Sequence, residues 1–159
     1  MIVADSNALI GLAKGKVFHL LGEFFGLVWI PQTVWDEVVV QGAGRPGAAE
    51  AQAASRTWLK VETVAPSSLT FPSGLDAADR DMVALAQQLG IQHILTGDRA
   101  ARIFAQQLGL HVHYAVEVVA AAKRMGLISS ARQVMDDMLA AGFGIEDSLY
   151  DLMLRLAQE

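Results

Sequence analysis

Short apolar runs alternate along the chain with longer segments whose apolar residues recur at helical spacing. The opening MIVAD is an apolar run ending in an acid, the pattern of a buried strand. SNALIGLAK then has helical spacing, and Val17 to Phe25 predicts a second helix closed by Gly26. LVWIP predicts a strand stopped by Pro31. In QTVWDEVVV, Val34 and Val38 lie one helical turn apart, whereas the three consecutive valines leave a strand reading open. QGAGRPGAAE is the clearest loop, followed by a short Ala-rich helix and a strand near LKVETV. Pro66 to Gly74 is a further loop that leads into LDAADRDMVALAQQLG, where Met82, Leu85, Ala86 and Leu89 form one apolar helical face and Gly90 supplies the C-cap. IQHILTGD predicts another strand ending in an acid, RAARIFAQQLG a helix, HVHY a short strand and AVEVVAAAKRMG a helix. ARQVMDDMLAAGFGIEDSLYDLMLRLAQE predicts two more helices, split by GFG.

This alternation predicts an α/β fold in which a central parallel sheet is flanked by helices, with a helical C-terminal tail. No internal repeat, low-complexity tract or linker interrupts it, and 159 residues suit one domain with a sizeable core. Hydrophobic residues make up 53% of the chain, enough that some apolar surface is expected to be reserved for partners. The absence of cysteine excludes disulfides, thiolate nucleophiles and thiolate metal sites, so any metal must be held by oxygen or imidazole. The longest apolar stretch, Val17 to Ile30, is interrupted by His19 and Glu23, and no charged region followed by a long apolar one opens the chain. A soluble cytoplasmic protein without membrane association is therefore expected. The net charge of -5 argues against broad attraction to nucleic acid, though it permits a local basic rim around an acidic pocket.

In an open parallel sheet, ligands bind beyond the carboxyl ends of the strands. Asp5 ends the first predicted strand and Asp98 follows the LTG that ends a later one, so the two acids are expected to share an edge. Each also precedes a helix and so reads equally well as an N-cap. Glu37 lies beside Val34 and Val38, either bordering a buried face or simply solvated. Asp79 follows Asp76 at the spacing of a capping box. Carboxylates that converge on one pocket raise one another's pKa unless a cation offsets their charge, and oxygen ligands favour Mg²⁺ or Mn²⁺. Such a site activates water and supports in-line displacement at a phosphodiester. His111 and His113 share one face of a strand without a metal-site pattern elsewhere, and Trp29, Trp35 and Trp58 read as core or interface residues.

The segments VADSNALIGLAK, IPQTVWDEVV, LDAADRDMVALAQQLG and ILTGDRAAR, in this order and spacing, resemble the PIN-domain family. They are particularly similar to VapC-type toxins and to a PIN-like subgroup of unassigned function. The resemblance implies a three-layer PIN-like fold, with residues 1–125 as the catalytic domain and 126–159 as a helical extension packed on it. Matched motif by motif, it implies catalytic roles for Asp5, Glu37, Asp79 and Asp98, with Asp5, Asp79 and Asp98 binding Mg²⁺ or Mn²⁺ directly or through water. Where the subgroup often has Gly-Glu, this chain has Ala78-Asp79, and Asp81 competes for the third position. The family's third acid lies seven residues before a small buried residue, as Asp79 does before Ala86. Asp81, about 200° further round the helix, is expected to face largely solvent.

Ser6 and Asn7 follow the first acid, where the family commonly carries a small polar residue that supports metal-bound water or phosphate; Ser6 also reads as a helix cap. Arg99 and Arg102 sit one turn apart beside Asp98, placed either for RNA phosphates or for surface salt bridges, with Lys14, Lys16, Lys123 and Arg124 as weaker candidates. The implied function is a metal-dependent endoribonuclease, the toxin of a toxin-antitoxin pair, with RNA as substrate, a small antitoxin as partner and a homodimeric state. The alternative is a catalytically silent PIN-like module that binds RNA or protein. A phosphatase with a nucleophilic aspartate fits less well, because its usual second acid, two residues on, is Asn7 here.

Overall fold

The computed structural model describes residues Met1–Glu159. Its centre is a five-stranded, all-parallel sheet in the order β3-β2-β1-β4-β5, built from β1 (Ile2–Ala4), β2 (Val28–Pro31), β3 (Leu59–Glu62), β4 (His93–Leu95) and β5 (His111–His113). The chain steps outward from β1 to β2 and β3, then crosses to the other side of β1 for β4 and β5. The order therefore reverses between β1 and β4, and a crevice opens there beyond the carboxyl ends of the strands.

Side chains alternate across the strands and feed two cores. Ile2, Ala4, Val28, Ile30 and Leu95 face one side, against α1 (Ser6–Lys14), α2 (Leu20–Phe25) and α7 (Ala115–Arg124), and the same core runs on into α8 (Ala131–Ala140) and α9 (Asp147–Leu156). Val3 and Ile94 face the other side, against α5 (Ala77–Leu89) and α6 (Arg99–Gln107). Covered on both faces, the central strands are apolar throughout, which is why they read as short continuous runs. A short helix, α3 (Gln32–Trp35), follows β2 and packs on α5, and α4 (Ala48–Ala54) precedes β3. Trp35 and Trp58 pack on the larger core and Trp29 on the smaller. No helix is long and apolar enough to cross a membrane.

The structure departs from sequence expectation in two elements. The second helix begins at Leu20 rather than Val17, because α1 closes with bonds from Lys16 N to Ala13 O and Val17 N to Leu12 O, with Lys16 at φ 61°. Val17 thus belongs to the cap of one helix, not to the body of the next. The valine run continues α3 as a π-helical turn, Asp36–Val40, closed by Gln41 N donating to Asp36 O at 2.8 Å. Such turns hold one extra residue and recur at functional sites.

The tail, α8 and α9, is docked on α1 and α7. Gly11 on α1 makes room for it, since a Cβ there would stand 2.5 Å from a ring carbon of Phe143. Alanine gains about 1 kcal/mol over glycine within a helix, but overpacking costs about 1–3 kcal/mol. Gly11→Ala is accordingly expected to lower stability in urea or thermal unfolding, and to raise it by up to about 1 kcal/mol once Phe143→Ala has removed the ring. The same sign in both backgrounds would show that the Phe143 ring does not set the cost.

Candidate functional site

The parallel register of β1 and β4 pairs Ala4 with Leu95, and Asp5 N donates to Leu95 O at 3.0 Å. Both strands therefore end at the same edge, and each exit enters a helix through an aspartate. Asp5 caps α1, its Oδ1 accepting from Ala8 N at 2.7 Å. Asp98 caps α6, its Oδ2 accepting from Ala101 N at 2.8 Å. Asp76 caps α5 by accepting from Asp79 N at 2.8 Å, but Asp79 makes no reciprocal bond and the capping box stays open. The capping roles of Asp5 and Asp98 do not withdraw them from the crevice.

Thr96 links the two acids. It is fully buried; its hydroxyl donates to Asp5 Oδ2 at 2.5 Å and accepts from Asp98 N at 3.2 Å, while its own N–H donates to His113 O at 3.0 Å. A hydroxyl has one proton, so this arrangement fixes its direction.

The crevice is an open pocket of about 360 Å³ in which Asp5, Asp76, Asp79 and Asp98 come together with Ser6, Asn7 and Arg99. Glu37 does not line it. It stands behind Ser6, whose hydroxyl donates to Glu37 Oε2 at 2.6 Å, and the π-helical turn supplies it from that side. Since Asp5 occupies the N-cap, Ser6 is not the cap that the sequence allowed. Arg102 lies outside the acidic pocket, in the neighbouring cleft, where its guanidinium donates to the Tyr114 hydroxyl. Asp81 does not face solvent as expected from helix azimuth alone: it is half-buried and accepts from Thr33 Oγ1 at 2.9 Å. Sequence reasoning did not identify Thr96 or Asp76 as part of the site, although both lie inside the motifs it used.

Burial pushes the Asp5 carboxyl up to about 6; the bonds from Thr96 and Ala8 oppose the rise and the charge of Asp98 adds to it. Asp79 is pushed up to about 7, again chiefly by burial and then by the charges of Asp76, Asp98 and Asp5. No lysine or arginine forms a salt bridge with these acids; the single ion pair of the structure joins His113 to Glu117 at 3.5 Å. Without a direct ion pair, their charge is offset by the amino ends of α1, α5 and α6 and by Arg99 at the pocket wall. The donor set, carboxylates with a hydroxyl and an amide, is of the type that takes a hard divalent cation. The spacing does not close into a cage, since no three His, Asp or Glu side chains gather closely enough to hold an ion.

Away from this site, His93 stacks between His111 and His113 with ring centroids 5.1 Å from each, and its Nδ1 lies 2.9 Å from His113 Nε2. Desolvation and the neighbouring imidazoles hold His93 below its ordinary pKa. These histidines sit on the β4–β5 strand surface.

The carboxylates therefore gather at the switch point of a parallel α/β sheet, the place where open sheets of this class bind their ligands. The chain belongs to the PIN-domain family: the sequence model of that family, DUF3368, described as PIN domain, matches residues 1–159. No curated protein and no solved structure matches the chain.

The raised carboxyls have a consequence for stability. Between the unfolded value of 3.8 and the folded values of about 6 and 7, the native state binds more protons than the unfolded chain. The stability these groups contribute is complete below 3.8 and is lost as pH rises through about 6 for Asp5 and about 7 for Asp79. For Asp5 the loss is on the order of 3 kcal/mol. In chelator, the unfolding temperature is therefore expected to fall by several degrees from pH 5 to pH 8, and Asp79→Asn should flatten the fall. A wild-type profile that rises over that interval would show that the fold does not raise these carboxyls.

Proposed function

We propose that the protein is a divalent-cation-dependent endoribonuclease. The observation that carries this reading is the convergence of Asp5, Asp79 and Asp98 at the sheet's switch point, with carboxyl groups raised by burial and by one another's uncompensated charge. Membership of the PIN-domain family supports it. Asp5, Asp79 and Asp98 would hold Mg²⁺ or Mn²⁺ directly or through water, with residues 1–125 carrying the machinery and 126–159 packed on them as an extension. Asp5 is the fixed member, bound through both oxygens. Asp79 and Asp98 are less buried and have the freedom to turn inward. When bound, the cation polarises the scissile phosphate and lowers the pKa of the attacking water.

The remaining residues position these groups. Ser6 donates its only proton to Glu37, so its oxygen meets the pocket as an acceptor, and Glu37 acts through it. Thr96 holds Asp5 and the backbone of Asp98 in mutual register. Asn7 and Arg99 line the pocket as contacts for RNA phosphate.

The resemblance to VapC-type toxins supports a finer reading: a cytoplasmic toxin held by a small antitoxin and assembled as a homodimer. Exposed apolar residues, among them Val40, Ile103, Met125 and Leu139, provide surface for such contacts. A second reading, a catalytically silent PIN-like module that binds RNA or protein, draws on the failure of three carboxylates to gather within reach of one ion.

Protein freed of any bound partner should cleave single-stranded RNA with Mg²⁺ or Mn²⁺ and lose that activity in chelator. Asp98→Asn should keep the fold and lower turnover by about 100-fold or more, in the range seen when one charge-stabilising group is removed. Asp79→Asn should weaken Mn²⁺ binding and cleavage strongly, whereas Asp81→Asn should leave both nearly unchanged. Cleavage undiminished by chelator, or wild-type turnover in Asp98→Asn, would sink the mechanism; bound Mn²⁺ without cleavage is the signature of the silent module. For the assembly, sedimentation at micromolar concentration should give about twice the chain mass of 17.0 kDa, and a monomer throughout would remove the homodimer.

A further inference from the structure

A second cavity, of about 430 Å³, adjoins the acidic pocket. Asn7 and Gly97 line both, so the two form one continuous path across the mouth of the switch point. The cleft falls in the size range of sites that enclose one small ligand, roughly 300–1,000 Å³. Its character is opposite to that of the acidic pocket. Arg102 and Arg155 line it against a single acid, Glu146, and neither arginine forms a salt bridge. Between them lie Tyr114, from the start of α7, and apolar wall from the tail, chiefly Phe143 and Leu152.

We propose that this cleft is a nucleotide subsite, holding the unit of a single-stranded RNA next to the phosphate in the acidic pocket. The proposal rests on the nuclease reading above. Three features point to a nucleotide. The Arg102 guanidinium lies 5.5 Å from the Tyr114 ring centroid and donates to its hydroxyl, so a planar cation and an aromatic face are already fixed together before anything binds. Such a pair suits a base, which stacks on aromatic and guanidinium planes regardless of its sequence. The unpaired charge of Arg155 on α9 suits a phosphate, while the apolar wall of Phe143 and Leu152 covers the base. Alternation of an acidic pocket with a basic, aromatic one then follows a phosphodiester strand: the scissile phosphate lies where a cation offsets the acids, and the next phosphate lies where Arg155 meets it directly. A purely apolar groove would instead suit a helix from a partner protein.

The test uses a 5′-fluorescein-labelled pentauridylate and the whole protein, with anisotropy recorded in chelator and in Mn²⁺ and cleavage recorded separately. The Arg102→Ala/Arg155→Ala double variant should bind the probe at least tenfold more weakly. The slope of log affinity against log salt should fall by about 0.7, the value for the one phosphate contact at Arg155 on a single strand. Leu152→Asp, at an exposed position of α9, should weaken binding without altering thermal unfolding. Irradiation of a 5-iodouridine-substituted probe should place the adduct on Tyr114 or Phe143. Binding that follows the cleft variants in a protein that cleaves nothing supports the subsite and removes the nuclease. Cleavage that persists, with binding unchanged in both variants and adducts elsewhere, overturns the subsite, leaves the nuclease standing and assigns the cleft to a protein partner.

Discussion

The parallel pairing of β1 with β4 is the constraint on which the rest of the molecule depends. It brings together residues that are 91 positions apart, and its last rung is completed by a side chain, the Thr96 hydroxyl on the Asp5 carboxylate. If this rung is misplaced by one residue, Asp5 no longer meets Thr96 and faces Leu95 or Gly97 instead, because side chains alternate along a strand. The amino ends of α1 and α6 would then diverge too. Fold and site are therefore the same geometric fact viewed at two scales: the core fixes the strands, and the strands fix the carboxylates.

That arrangement holds opposing electrostatic demands. Three aspartates cap three helices whose amino ends point into one crevice, a favourable use of each charge by itself. Together, with Asp79 added and no basic side chain paired to any of them, they repel, and that repulsion adds to burial, the larger cause, in raising the carboxyls of Asp5 and Asp79. A protein selected only for stability has no reason to crowd its caps in this way. Strain of this kind is what the proposed function accounts for, since a bound cation would complete the charge balance.

The sheet was readable because its strands are buried on both faces and so stand out as apolar runs, and the helices because their apolar residues keep a period near 3.6. Where the reading failed, two structures shared one pattern. Val17 is buried whether it caps α1 or starts α2, and nothing in the identity of Lys16 announces a left-handed turn. Three consecutive valines mark no period, so they fit an α-helical turn and a π-helical turn equally well. At the site, Asp5 and Asp98 were visible because each ends an apolar run. Thr96 was not, since its role exists only once β4 lies beside β1. Asp81 shows the limit of helix azimuth: the face it occupies is outward on α5 in isolation, but α3 packs there and Thr33 meets it.

The docking of the tail on α1 has a further consequence, which lies in time rather than space. Every side chain of the acidic pocket lies between Asp5 and Arg99, whereas Phe143, Leu152 and Arg155 of the adjoining cleft lie far downstream. A ribosome working from the amino end makes the acids first and the outer wall of the cleft much later. During that interval a nascent chain has its carboxylates but only half of the surface beside them. The ring that fills the notch at Gly11 arrives with the missing wall, so the contact that seats the tail on α1 also dates the completion of the cleft.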